Sequence, residues 1–445
     1  MNFDSLKRSD WLKKFNEPGH WYTSYPSLNH WTEDFTEKEY RERLSNFSRI
    51  GKPTHLYIHI PFCAKLCHYC ICNIIITNDE EKKQTFVDHL CKEVDLLRNY
   101  ELNITEIHFG GGTPSHLTRR QFSQLCKSLN TICELQSLDE VAMEIDPRTV
   151  EDGDLEFYAS LGVTRLSFGV QDFDPEVQKA INREQPADMV ERVLRDRHYF
   201  KGVNFDLLYG LPRQTHETVG ETVRLTKWLS PERITLLKYC HAPEVRRHMK
   251  LINVSELPSP DELPIMFLDI TQELTEHGYQ WIGLDHFAKP GDSLAGGALH
   301  RTFNGFTPGR THDMVGIGPT STGAFAETYS QSIYDLPGYY NSVDGGRFPV
   351  LRGYRMSPDD SLRREVIFAL LCNQEVDLNK YEGYFERERR MLQAIPELVL
   401  SRDGVIKITK WGRVLLRNIC KVFDLKDVKP EHNRIAQLSM TRKVA

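Results

Sequence analysis

No stretch of this chain approaches the ~20 consecutive apolar residues that a membrane-spanning helix needs, so no membrane span is expected. The first twenty residues lack the apolar segment of a signal peptide. Positive charge is not in excess: 56 Lys and Arg face 62 Asp and Glu, for a formal net charge of −6. No global basic field exists to hold nucleic acid, and no nucleic-acid partner is expected. No period of 20–50 residues recurs, which excludes a solenoid. Nothing demands a second chain, so a monomer is the expectation. A cytoplasmic location follows, where thiols stay reduced and clustered cysteines serve as metal ligands or catalytic groups rather than disulfides. Of ten cysteines, Cys91, Cys126, Cys133, Cys372 and Cys420 are scattered and read as small buried hydrophobes. Cys240 is kept apart from them.

The chain has 445 residues, 40% hydrophobic and 27% charged, enough for roughly two to three domains with one large core. Its middle alternates short β-rich runs with helical stretches. The runs are His55–Ile60, Glu106–Phe109, Val141–Ile145, Arg165–Phe168, Asn204–Tyr209 and Arg233–Lys238. Helical spacing of apolar residues marks Glu80–Asn99, Arg119–Ile132, Pro175–Asn182 and Thr215–Leu229. Such alternation predicts parallel strands joined by right-handed crossovers. The expected fold is α/β: an incomplete (β/α)6 TIM-like barrel over residues 51–350. An aromatic arm over residues 1–50 (Trp11, Trp21, Tyr22, Tyr25, Trp31) precedes it. Gln280–Phe325 lacks periodicity and reads as a functional loop. Residues 351–445 read as a small, mainly helical, winged-helix-like domain: a helix at Arg363–Leu371, a hairpin turning at Asp403-Gly404 and a helix at Lys410–Phe423.

Three cysteines, Cys63, Cys67 and Cys70, stand at C-x3-C-x2-C, with Cys72 close behind. Three thiolates hold three irons of a [4Fe–4S] cluster and leave the fourth iron open to a ligand. The competing assignment is structural zinc, with Cys72 or His68 as fourth ligand, but no second ligand pair lies at zinc-finger spacing. The cysteines follow the first strand, at the C-terminal edge where barrel active sites gather. After the second strand, Gly110-Gly111-Gly112-Thr113-Pro114 lets backbone approach a ligand closely. Later strand ends add Glu144, Gln171, Arg183 and Asp206, a mixture of donors and acceptors suited to ribose hydroxyls and an amino-acid moiety.

The cysteine loop and the GGGTP turn resemble the radical S-adenosylmethionine (SAM) enzymes. The resemblance extends over nearly the whole chain to the oxygen-independent coproporphyrinogen III dehydrogenases, through YTSYPS, YIHIPFC, CICN, HFGGGTPSHL, EIDPRT, LSFGVQDF, NREQ, FDLLYGLPRQT, DHFAKP, LHRTFNGF and GRVLLRNIC. It implies a [4Fe–4S] cluster on Cys63, Cys67 and Cys70, and two SAM molecules. Tyr57, Gly111 and Glu144 would contact the first SAM, with Thr322 nearby. Tyr69, Gly112, Thr113, Gln171, Arg183, Asp206 and Cys240 would contact the second. The implied reaction belongs to haem biosynthesis. A 5′-deoxyadenosyl radical takes hydrogen from a propionate β-carbon of a tetrapyrrole, CO2 and one electron leave, and a vinyl group remains. An electron donor and a final acceptor, neither identified, are implied partners. The arm with Tyr22–Pro26 is expected to shield the barrel mouth. The chain departs from the family pattern at Trp21 and at Ile71, whose branched side chain is expected to crowd the cluster. Two further readings are another radical SAM enzyme with a different substrate (a methyltransferase or haem-modifying enzyme) and a haem chaperone.

Overall fold

A computed structural model describes residues 3–7, 12 and 20–427. Trp11 and the end of the C-terminal segment lie outside the described residues.

The six predicted strands all form. They are β1 (Pro53–Ile60), β2 (Asn103–Gly111), β3 (Glu140–Ile145), β4 (Arg165–Gln171), β5 (Gly202–Tyr209) and β6 (Arg233–Lys238). Each pairs in parallel with the next. Six more strands extend the sheet: β7 (Gln280–Gly283), β8 (His286–Ala288), β9 (Met314–Ile317), β10 (Thr322–Phe325), β11 (Thr328–Ser332) and β12 (Val350–Arg355). The order is β12-β11-β10-β9-β1-β2-β3-β4-β5-β6-β8-β7. β9 is parallel to β1, and the outermost strands are antiparallel. Gln280–Phe325, expected as loop, therefore carries short strands. At three to four residues each they are too brief to show a two-residue period.

Side-chain alternation sets the two faces of the curved sheet. Leu56, Ile58, Ile107, Phe109, Val141, Met143, Leu166, Phe168 and Phe205 are buried in the large core with Phe86, Leu90, Phe122 and Leu125 of the helices. The opposite face carries Tyr57, His108, Glu144, Ser167, Asn204 and Asp206, linked by ring contacts and hydrogen bonds. A polar lumen thus runs up the strands toward their C-terminal ends. Its floor is ionic. Arg165 and Arg233 both pair with Glu140 and Asp292 at 2.7–3.2 Å.

Helices start where the sequence supplies caps. Asp79 caps Glu80–Leu97, and Thr118 with Gln121 forms a capping box for Arg119–Leu129. Helix Glu37–Ile50 buries Tyr40, Leu44 and Phe47 in the barrel's core. A second core joins helix Pro358–Asn373, the hairpin Val399–Ile408 and Leu416–Cys420 to Ile282, Leu284 and Phe306, and takes in Tyr22 and Tyr25 of the arm. Tyr22 donates to Asp424 at 3.0 Å, and Tyr329 bridges the backbone of Tyr25. Asp403 and Gly404 both have positive φ, the hairpin turn the sequence signals. The single helix expected over Lys410–Phe423 is instead two, Lys410–Val414 and Leu416–Cys420, broken at Leu415. The break lets Leu415, Leu416, Ile419 and Cys420 all enter the core. Among the described residues no helix is long and apolar enough to cross a membrane.

Candidate active site

The cysteine loop leaves β1 and is pinned by its own backbone. Gly112 N–H donates to Ile60 O at 2.7 Å, and Thr113 N–H to Phe62 O at 2.8 Å. A short parallel pair, Phe62–Cys63 with Ile75–Ile76, closes the loop. Gly112 is required for this approach, since a Cβ there would lie 2.7 Å from Phe62 O. From outside, Asn182 donates to Leu66 O, and His248 and Arg246 reach Cys70 O and Ile71 O, each at 2.7–2.8 Å. Ile71 is 45% exposed. Only its carbonyl is engaged.

Cys67 is buried, Cys63 and Cys70 half-buried and Cys72 exposed. Thr113 Oγ1 donates to Cys63 Sγ at 3.3 Å. Arg148 and Arg183 each donate to Cys67 Sγ at 3.5 Å. Both arginines also meet Asp146, at 2.7 and 3.2 Å. Burial would raise the Asp146 carboxyl, but Arg183 and Arg148 outweigh it and bring it down to about 2. Burial pushes the Cys63 thiol up to about 12. Cys70 is lowered to about 7, chiefly by its hydrogen bond with Cys72 and, against burial, by Arg183 and Arg246, while Cys72 is raised.

Thiol spacing bears on the two metal assignments. Sulfurs on one zinc ion sit about 3.8 Å apart, given Zn–S bonds of about 2.3 Å in a tetrahedron. Among the described residues, the only group of three or more His, Cys, Asp or Glu with ligand atoms all within 4.8 Å is His20, Asp424 and Asp427. The cysteines are thus splayed wider than a single ion draws them. Splayed soft donors, with Arg148, Arg183 and Thr113 aimed at their sulfurs, fit a multi-iron cluster.

The remaining candidates sit as follows. Tyr57 on β1 donates or accepts at His59 Nδ1 (3.1 Å), and its ring stacks near His108. Glu144 on β3 takes the Gly111 N–H at 3.1 Å and meets His108 at 3.1 Å. Gly111 has φ +110°, and a Cβ there would meet the His59 ring at 2.6 Å. Asp206 on β5 accepts from Ser167 and Asn204. Burial, then the charge of Glu144, raises its carboxyl, so both acids face one space. Gln171 ends β4 in the left-handed region, φ 67°, beside a bulge. Arg183 lies three residues past the end of Pro175–Ala180, where it can turn back to Gly169 O, Asp146 and Cys67. Tyr69 packs against the small cluster around Val177 and Ile181. Cys240 is exposed two residues beyond β6, and Thr322 opens β10, across Gly316 from Tyr57. Sequence reasoning missed His59, His108, Asp146 and Arg148. Their signal was present: polar residues alternating along β1 and β2, and a charged pair in the Asp-Pro-Arg run just after β3.

Comparison with known proteins agrees with this geometry. Residues 57–226 match the Radical SAM superfamily model. The chain is 36% identical to the oxygen-independent coproporphyrinogen III oxidase of Escherichia coli, covering 94% of this chain and 96% of the relative. It is 35% identical to the Pseudomonas aeruginosa protein of that description, covering 94% and 95%. The solved structure of the E. coli coproporphyrinogen III oxidase, described as a radical SAM enzyme, superposes with a TM-score of 0.82 at 35% identity, covering 91% of this chain and 97% of that one. Barrel, cysteine loop and family model together define a radical SAM protein. Within that class the chain belongs to the oxygen-independent coproporphyrinogen III oxidase family.

Proposed function

We propose that this protein converts coproporphyrinogen III to protoporphyrinogen IX without oxygen, by oxidative decarboxylation of two propionates. The observation that carries the reading is the set Cys67–Arg183–Asp146 at the mouth of a barrel whose relatives match end to end. Cys63, Cys67 and Cys70 would hold the [4Fe–4S] cluster. When bound, cluster and SAM supply the electron and the carbon radical that removes hydrogen from the propionate β-carbon. The chain's own residues do the rest. Arg148 and Arg183 place positive donors on a ligand sulfur and are themselves neutralised by Asp146. Glu144 fixes the Gly111 backbone, which keeps the glycine turn open to a ligand. Tyr57, Glu144 and Gly111 would contact one SAM. Tyr69, Gly112, Thr113, Gln171, Arg183, Asp206 and Cys240 would contact a second, with Thr322 flanking the first. Asp206 and Glu144 offer acceptors for ribose hydroxyls.

The burial of Tyr22 and Tyr25 in the second core supports a fixed arm. Helix Glu37–Ile50 packs in the barrel core and Val350–Arg355 pairs in the barrel sheet, which favours domain divisions before Glu37 and after Arg355 over divisions at residues 50 and 350. A cytoplasmic monomer served by separate electron donor and acceptor completes the proposal. The test is an anaerobic assay of reconstituted protein with SAM, reductant and coproporphyrinogen III. Release of 5′-deoxyadenosine and methionine with no tetrapyrrole product would keep the radical chemistry and refute the substrate.

A further inference from the structure

Three cations around Trp21 and the end of β6 lack ion-pair partners among the described residues. Lys238 ends β6, Arg301 lies in strand His300–Thr302, and Arg417 lies in helix Leu416–Cys420. Arg301 is 3% exposed. It donates Nη2 to the Trp21 carbonyl at 3.1 Å, while its Nε and Nη1 are buried without a partner. The Arg417 guanidinium lies over the Trp21 ring, 4.1 Å from its centroid. A cation–π contact of this kind adds no anion to the guanidinium, which can still donate to a carboxylate. Among the described residues neither Arg417 nor Lys238 forms an ion pair or a side-chain hydrogen bond.

The three are neighbours electrostatically. Burial first, then the Arg417 charge, lowers Lys238, and Arg417 also acts on Arg301. The same charge reaches Tyr209 at the end of β5. Asp285, the one carboxylate acting on Arg301, is already held by His286 at 2.6 Å. The arginines elsewhere in the barrel differ. Arg165 and Arg233 are matched by Glu140 and Asp292, and Arg148 and Arg183 share Asp146. Crowded, half-dry cations with a charge surplus are costly unless an anion joins them.

We propose that Arg301, Arg417 and Lys238 form a receptor for a carboxylate of the substrate, with the Trp21 ring holding Arg417 flat for two-pronged contact. The inference rests on the proposed function, whose substrate carries four propionates. Two are lost as CO2 and two survive into product. An anchor for a surviving carboxylate positions the macrocycle without entering the chemistry.

The test is equilibrium binding of coproporphyrin III, the oxidised and unreactive form of the substrate, to the full chain with its cluster reconstituted. Its tetramethyl ester, which carries no carboxylate, is the control. Arg417→Gln should weaken the tetra-acid by about tenfold or more, or about 1.4 kcal/mol, and leave the ester at the wild-type value. Arg417→Lys, which keeps the charge but not the fork, should fall between. Lys238→Met gives a second, independent probe if the Arg417 variants fold poorly, with the same selective loss expected. Undiminished tetra-acid binding by Arg417→Gln and Lys238→Met overturns the receptor while leaving the proposed function intact, as does equal loss of acid and ester. Wild-type protein that binds neither porphyrin overturns both.

Discussion

The Arg183 guanidinium reaches the Cys67 sulfur at 3.5 Å and, through the same nitrogen, the Asp146 carboxylate at 3.2 Å. One buried cation thus ties the sulfur proposed as a cluster ligand to a fixed negative charge. Donors to cluster sulfurs raise the reduction potential. Arg183→Gln should therefore shift the cluster midpoint to more negative values, on the order of tens of millivolts. A redox titration followed by electron paramagnetic resonance measures it. An unmoved midpoint would remove Arg183 from the electrostatic frame of the cluster.

Cys67 and Cys72 should respond in opposite ways. Cys67 is buried under two arginine donors, whereas Cys72 is exposed and its thiol is raised, first by its hydrogen bond with Cys70. Cys67→Ala should lose iron and all reductive SAM cleavage, and Cys72→Ser should retain both. Iron and sulfide analysis with 5′-deoxyadenosine release reads the contrast. Equal loss in the two variants would restore the four-cysteine assignment.

Glu93 is 2% exposed and links helix Glu80–Leu97 to two other elements, taking Gly318 N–H at 2.8 Å and Tyr339 Oη–H at 2.6 Å. Burial pushes its carboxyl from 4.5 up to about 7, against both hydrogen bonds. The folded state therefore binds this proton more tightly than the unfolded state. Stability from this group is full below pH 4.5 and is lost as pH rises toward 7, by roughly 3 kcal/mol at 1.36 kcal/mol per unit. Glu93→Gln keeps the acceptor and removes the charge. Denaturant titrations from pH 5 to 8 should show a weaker pH slope in the variant than in wild type; identical slopes would contradict the assignment.

The barrel floor gives the opposite sign. Burial raises the Glu140 carboxyl, but Arg233 and Arg165 more than offset it, and the group falls to about 2. Its contribution is present above pH 4.5 and is lost as pH falls toward 2. Glu140→Gln leaves two buried arginines sharing Asp292 and should cost about 3–5 kcal/mol of stability. Urea denaturation near neutral pH tests this, and a loss under 1 kcal/mol would show that Asp292 alone neutralises both.

The six parallel strands and the cysteine loop were legible because each rests on local pattern: apolar alternation, strand-helix succession and thiol spacing. Gln280–Phe325 was not legible. Two of its strands gain their stability from edges supplied by β1 and β6, far away in the chain. Of the site, Glu144, Asp206 and the glycine turn lay where strand ends predicted them. Arg183 was legible among the polar residues beyond the strands, whereas its partner Asp146, in the Asp-Pro-Arg run after β3, was passed over because nothing local in the sequence pairs the two.

The most direct measurement is product analysis after anaerobic incubation of the reconstituted full chain with SAM, reductant and coproporphyrinogen III. The account predicts protoporphyrinogen IX with CO2, methionine and 5′-deoxyadenosine, and none of these from the Cys67→Ala protein. SAM cleavage with coproporphyrinogen III recovered unchanged would contradict it.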